Sequence, residues 1–203
     1  MPTQLCDALL LKTSHPYPPG TVARWHDTMA DTPLAQARVQ SVATANAENG
    51  QPMHHIYLHL PQATELARSD CVAFEKRWHA LTGHSAEVSR LREMLRCEGA
   101  SFDDTPGVHY VVETDTDDGW QAEIFNWYDQ EHMPGLARVP GCILARRLVN
   151  LDHAPYSFAC YDLASKETLG SPPWLAVRGT AWSDKCRPHF VNTLRTMFEN
   201  PNA

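Results

Sequence analysis

The 203-residue sequence predicts an α+β chain made of two tandem βαββαβ repeats. One observation behind this prediction is internal similarity: the segment RWHDT at 24–28 resembles NWYDQ at 126–130, 102 positions later. A second pair, LREML at 91–95 and LRTMF at 194–198, repeats at an offset of 103. Matches in the same order at a nearly constant offset are typical of a tandem duplication. The boundary is predicted near 99–107, whose Gly, Pro and Asp residues favour a linker.

The same order of elements is predicted in both repeats, because alternating apolar residues indicate strands and apolar residues at helical spacing indicate helices. In the N-terminal repeat, 1–104, the pattern predicts a strand at 8–13, a helix from Thr21, strands at 37–46 and 54–60, a helix at about 64–82 and a closing segment through 91–95. In the C-terminal repeat, 105–203, it predicts strands at 109–114, 142–149 and 156–162, a helix at about 119–132, further helical segments and a closing segment at 190–198.

This order is the ferredoxin-like plan. A four-stranded antiparallel sheet with helices on one face leaves its other face bare. Two such sheets laid face to face bury both bare faces, so we expect a pseudo-dimeric α/β barrel within one chain.

Composition excludes several classes of function. The net charge of -7 and the pI near 5.8 argue against nucleic acid or an anionic membrane as the main partner. The N-terminus has neither a basic region nor a long apolar run, so we expect a cytoplasmic protein. The six cysteines show no CxxC pair, and no P-loop, GxGxxG, HExxH or GxSxG motif is present. We therefore predict no metal and no cofactor.

The stretch FNWYDQEHMPGLARVPG at 125–141 is the strongest candidate for a site. Pro134 disfavours helical geometry at the residue before it, so the helix should end at about His132. The helix dipole, Asp129 and Glu131 should raise the pKa of His132 above about 6.5, the range in which an imidazole serves as a general acid or base. The alternative is that His132 only caps the helix. Trp127 is expected in the core, and Tyr128 either packs or contacts the substrate.

A second candidate is the strand HHIYLHLP, in which His55, Tyr57 and His59 share one face. This pattern favours a polar lining over a metal site, because His55 and His59 are about 13 Å apart in an extended strand. His109 could face a cavity at the start of the matching strand in the second repeat. Arg146 and Arg147 could bind a carboxylate or pair with Asp129.

The segments WYDQEHMPGLARVPGCILARRL at 127–148, YSFACYDLASKETLGSPPWL at 156–175 and TAWSDKCRPHF at 180–190 resemble the dimeric α/β-barrel superfamily, most of all its EthD-like branch. The branch motif reads roughly W-Y-x-x-E-H-x-P, and the resemblance covers about 107–200. It implies the fold and a pocket beside the histidine. Members include polyketide cyclases, cofactor-free monooxygenases, isomerases, decarboxylases and haem binders, so the reaction stays open.

The first repeat departs from the motif, since Met29 and Ala30 stand where the Glu-His pair is expected. We therefore expect the working pocket in the second repeat, with the first contributing at most a wall through His55, Tyr57 or His59. The resemblance favours a role for His132 in the site over a role as a helix cap.

The combined hypothesis is a cofactor-independent enzyme that uses His132 for proton transfer on an apolar carbonyl-bearing or aromatic molecule, as an isomerase, cyclase, lyase or decarboxylase. The alternatives are a small-molecule or haem binding protein without activity, and a cofactor-free monooxygenase. A homodimer is possible. The catalytic candidates are His132, Asp129 and Tyr128, and the substrate-binding candidates are Trp127, Glu131, Arg146, His109, His55, Tyr57 and His59.

Overall fold

The computed structural model describes residues 3–44 and 52–199. The described residues form two compact units. One unit comprises the residues up to 92 together with 150–153, and the other comprises 93–149 and 154–199. Both contain an antiparallel sheet with helices, so the α+β class is confirmed. No helix in the described part of the chain is long and apolar enough to cross a membrane.

The first unit holds a sheet with the strand order β4-β1-β3-β2, every pair antiparallel. Alternation along β3 places Ile56 and Leu58 in a core with Trp25 and Trp78, while His55 points to the opposite face. The elements are β1 Gln4–Thr13, α1 Thr21–Asp27, β2 Arg38–Ala43, β3 His54–Leu66, α2 Arg68–Thr82 and β4 Glu87–Glu98.

Two predicted boundaries differ in this unit. The helix expected from about residue 64 begins at Arg68, because Glu65 and Leu66 stay paired with β1 as the end of β3. Backbone pairing with a neighbouring strand therefore overrides the helical pattern. The strand expected at 37–46 is observed as Arg38–Ala43, and residues 45 and 46 lie outside the described residues.

The second unit holds strands in the order β8-β5-β7-β6, again antiparallel where the register is given. Its core packs Ile124, Trp127 and Trp174 from the helices against Ala145 and Ala159 from the sheet. The elements are β5 Val108–Thr116, α3 Gln121–Trp127, α4 Met133–Ala137, β6 Cys142–Asn150, β7 Ser157–Leu163, α5 Pro172–Arg178, α6 Ala181–Cys186 and β8 Phe190–Glu199.

The prediction that the helix ends at His132 is wrong. A π-helical turn, Tyr128–His132, follows α3 directly and leads into α4. In this turn the Met133 N–H donates to the Tyr128 carbonyl, a wider loop than an α-helical one. Pro134 lacks an N–H and would clash with a carbonyl one α-turn earlier, so the widened backbone accommodates it. The turn places Tyr128 and His132 on the buried side of the helix.

Candidate active site

The second unit contains a cavity between its helices and the helix-facing side of its sheet. Alternation along β5 and β7 directs Tyr110, Val112 and Tyr161 towards the helices, where they meet the α3–α4 segment. The aromatic lining of the cavity consists of Tyr110, Trp127, Tyr128, Tyr161, Trp174 and Phe190.

The aromatic rings of this lining contact one another. The Tyr161 ring lies edge-on to Trp174, with centroids 5.3 Å apart, and stacks on Tyr110 at 6.1 Å. Tyr128 stacks on Phe190 at 6.0 Å. Offset and edge-to-face arrangements of this kind are the favourable ones for aromatic pairs. The walls are therefore suited to a flat, apolar ligand.

His132 is a buried polar residue of this lining, with 7% of its surface exposed. Its ring stacks on Trp127 at a centroid distance of 4.2 Å and meets Tyr128 edge-on at 5.6 Å. Its Nδ1 atom is buried and has no hydrogen-bond partner among the described residues. An unpaired buried polar group costs on the order of 1–3 kcal/mol. Such a group is expected where a ligand supplies the partner.

The expected rise in the pKa of His132 is wrong. Burial, together with the charges of Arg178 and Arg187, lowers its pKa to about 3. Burial disfavours the imidazolium, and the helix dipole does not compensate because the helix continues through α4. The carboxylates of Asp129 and Glu131 bind elsewhere. His132 is therefore a neutral imidazole at physiological pH.

The tyrosines of the lining keep their protons. Burial raises the pKa of Tyr110, Tyr128 and Tyr161 above the usual value. The Tyr161 hydroxyl donates to the Met133 sulfur at 3.0 Å. The hydroxyls of Tyr110 and Tyr128 make no hydrogen bond to any described residue. Both are available to donate to a ligand oxygen.

Three arginines complete the lining: Arg178 from the end of α5, Arg187 after α6 and Arg195 from β8. Arg178 is half-buried, whereas the other two are exposed. No sequence pattern marks these three arginines, because each alone resembles an ordinary surface charge and only the fold brings them to one cavity.

The free space in the cavity is about 30 Å³. Such a volume holds one or two water molecules. An aromatic ligand would therefore enter only after side chains at the rim move, and the exposed Arg187 and Arg195 can move without disturbing the core.

Two predicted site residues bind other side chains beside the cavity. Asp129 makes a two-pronged ion pair with Arg147, both N–O distances being 2.7 Å, as expected for an Arg–carboxylate pair. Glu131 accepts a hydrogen bond of 2.5 Å from Thr180, the N-cap residue of α6. Both carboxylates hold neighbouring elements in place around His132.

Other predicted residues lie on the far side of the sheet. His109 Nδ1 contacts Asp162 at 2.6 Å, and Arg146 lies 3.7 Å from the same carboxylate. Alternation along β5 places His109 opposite to Tyr110, so this cluster does not line the cavity.

His55, Tyr57 and His59 belong to the first unit. They share one face of β3, as predicted, with the Tyr57 ring stacked on His59 at 5.6 Å and His55 Nδ1 3.3 Å from the Tyr57 hydroxyl. No group of three or more His, Cys, Asp or Glu residues within 3–44 and 52–199 is arranged to hold a metal ion. The structure thus brings Trp127, Tyr128 and His132 together and places the other candidates elsewhere.

No family model matches the chain, and no curated protein matches it. Solved structures do. A chlorite dismutase from Candidatus Nitrospira defluvii matches with a TM-score of 0.57 and 11% identity, over 96% of this chain and 92% of the other. An anthrone oxidase-like protein matches with a TM-score of 0.53 and 12% identity, over 95% and 90%.

The haem-degrading enzyme of Listeria monocytogenes matches with a TM-score of 0.53 and 8% identity, over 96% of this chain and 99% of the other. At identities this low, the matches establish a shared fold and nothing more specific.

Proposed function

We propose that the chain is a cofactor-free monooxygenase whose His132 removes a proton from an aromatic, carbonyl-bearing substrate so that the substrate anion reacts with O₂. The observation that carries the proposal is a neutral, unpaired histidine stacked on Trp127 within an aromatic-lined cavity. The match to an anthrone oxidase-like protein favours this chemistry over the isomerase and lyase readings of the sequence.

Each step can be assigned to residues of the lining. His132 takes a proton from a methylene group activated by a carbonyl and aromatic rings, and Tyr128 or Tyr110 donates a hydrogen bond to the carbonyl oxygen as charge develops there. The anion transfers an electron to O₂, and recombination followed by return of the proton gives a hydroperoxide. Loss of water then leaves a carbonyl. One CH₂ and one O₂ become one C=O and one H₂O.

The first unit is proposed as a scaffold without this chemistry. Met29 is fully buried in the first core, near Trp25, and Ala30 carries no titratable group. His26 in the same segment is held by the Leu34 carbonyl at 2.8 Å.

The test is oxygen uptake with anthrone as the substrate. We expect one O₂ consumed for each anthroquinone formed, with no added cofactor. His132→Gln should reduce turnover by about 10²–10⁴-fold, the usual contribution of a general base. His26→Gln is the matched control and should change turnover little. Equal losses in the two variants, or full activity of His132→Gln, would contradict the proposal.

A second candidate is haem binding, which one observation favours: a neutral His132 with an unpaired nitrogen is a suitable axial ligand. The haem-degrading match supports the same reading. Against it, the free space is about 30 Å³, so a porphyrin would need a much wider opening of the cavity than a smaller aromatic substrate. Addition of haemin separates the candidates, since a Soret shift lost in His132→Gln would favour haem.

We also infer that the two units are tandem ferredoxin-like repeats of the EthD-like branch, divided near residues 104 and 105. The support is that both units place their strands in the same relative order, fourth, first, third, second. Separate expression of 1–104 and 105–203 would test the division. The homodimer and the cytoplasmic location remain predictions.

A further inference from the structure

The three arginines at the cavity, Arg178, Arg187 and Arg195, are called here the arginine cluster. None of their guanidinium groups makes a hydrogen bond or salt bridge to a residue of the described chain. Other arginines of the same unit do have partners, as Arg147 has Asp129. In a chain with net charge -7, acidic side chains are abundant, so three unpaired cations around one cavity are unusual.

The members of the arginine cluster also repel one another. Burial lowers the pKa of Arg187, and the charges of Arg178 and Arg195 lower it further. The nearby Asp184 offsets part of this effect. Like charges brought together at a low-dielectric cavity cost free energy unless an anion neutralises them.

We propose that the arginine cluster binds the carboxylate of an aromatic acid, whose ring lies between the aromatic walls near His132. The inference deepens the proposed function and rests on it for the identity of the cavity as the substrate site. Guanidinium groups recognise carboxylates through paired, charge-assisted hydrogen bonds, and Arg suits this role better than Lys.

Anion binding also explains how a histidine with a low pKa can act as a base. Arg178 and Arg187 are two of the causes that hold His132 neutral. A bound carboxylate cancels their field, so it raises the affinity of His132 for the substrate proton. A substrate without the carboxylate meets a weaker base.

The choice of an aromatic acid over a simple inorganic anion follows from the lining. The arginine cluster adjoins Trp127, Tyr128 and Phe190 within one cavity, and phosphate could use the indole N–H and the tyrosine hydroxyl but not the apolar faces of these rings. A free phosphate would therefore use the charges and leave the aromatic faces without a contact.

The test is calorimetric titration of the full chain with benzoate, benzamide and inorganic phosphate at low salt. Benzoate should bind at least tenfold more tightly than either benzamide, which lacks the charge, or phosphate, which lacks the ring. Arg178→Gln and Arg187→Gln should each weaken benzoate binding by about tenfold or more. Arg138→Gln removes an exposed arginine of the same unit outside the cavity and should leave the affinity unchanged.

Equal affinities for benzoate and benzamide would overturn the inference, as would equal effects of Arg178→Gln and Arg138→Gln. Phosphate binding as tight as benzoate binding would replace the aromatic acid by a simple oxyanion and also overturn it. Thermal unfolding of each variant shows whether it is folded. If Arg178→Gln is unstable, Arg187→Gln and Arg195→Gln carry the test, because both change exposed side chains.

The two proposals fail separately. Benzoate binding without oxygen uptake on anthrone would leave the anion site standing and remove the monooxygenase. Oxygen uptake that depends on His132, together with no preference for benzoate, would support the monooxygenase and remove the anion site.

Discussion

Trp25 in the first unit and Trp127 in the second occupy corresponding helices but differ in what surrounds them. The Trp25 indole N–H donates to the Phe74 carbonyl at 3.1 Å, and its ring lies edge-on to Trp78 at 5.7 Å. The Trp127 N–H is buried without a partner, and its ring stacks on His132. One tryptophan completes a core, whereas the other forms a wall of a cavity.

The contrast shows how one strand plan can serve two purposes. In the first unit the segment after Trp25 presents Met29 to the core, where an apolar side chain needs no partner. In the second unit the π-helical turn presents His132 to the cavity, with its Nδ1 atom unpaired. The Trp78 N–H in the first core is also unpaired among the described residues, so what distinguishes His132 is that its unpaired nitrogen belongs to a residue that lines a cavity.

The largest effect expected from this contrast is on the pH dependence of stability. The pKa of His132 is about 3 in the folded chain and about 6.5 in the unfolded chain, so the unfolded state binds the extra proton first as the pH falls. The stability associated with neutral His132 is fully present above about pH 6.5 and is lost progressively as the pH falls towards 3. It should lower the free energy of unfolding by about 3 kcal/mol between pH 7 and pH 4.

Urea unfolding of the wild type and His132→Gln at both pH values measures this term, because other groups titrate equally in the two proteins. The difference between their free energies of unfolding should change by that amount. His54→Gln in the first unit should show a smaller change, since His54 is half-buried and burial lowers its pKa less completely. Parallel curves for wild type and His132→Gln would contradict the account.

A smaller effect is expected when each tryptophan is replaced by phenylalanine. Both changes remove the same volume, but Trp25→Phe also removes the hydrogen bond to the Phe74 carbonyl. Trp127→Phe removes an N–H that has no partner. Trp25→Phe should therefore destabilise the chain by about 1 kcal/mol more than Trp127→Phe, measured by urea unfolding at pH 7. A larger loss for Trp127→Phe would mean that its N–H is satisfied in solution.

Local patterns were sufficient for much of the fold. The strict alternation of HHIYLHL predicted β3 and the shared face of His55, Tyr57 and His59. The aromatic stripe before His132 predicted a buried helix face, which Ile124 and Trp127 form. These features depend on period alone, and period can be read from a single sequence.

What the sequence did not disclose depends on contacts between distant segments. Pro134 was expected to end the helix, but a π-helical turn accommodates it. The pKa of His132 was assigned from its neighbours in sequence, while burial and two arginines about 50 positions away determine it. Asp129 was expected to act in catalysis, but the structure shows the alternative role offered for Arg146 and Arg147, a pair between Asp129 and Arg147 on β6.

The central claim is that the working pocket lies in the second unit. Amide NMR spectra recorded during a benzoate titration test it most directly. We expect the largest shifts at Trp127, His132, Arg178 and Arg195, with the amides of α1 and α2 unchanged. Shifts centred on Trp25 or Trp78, or spread evenly over both units, would contradict the claim.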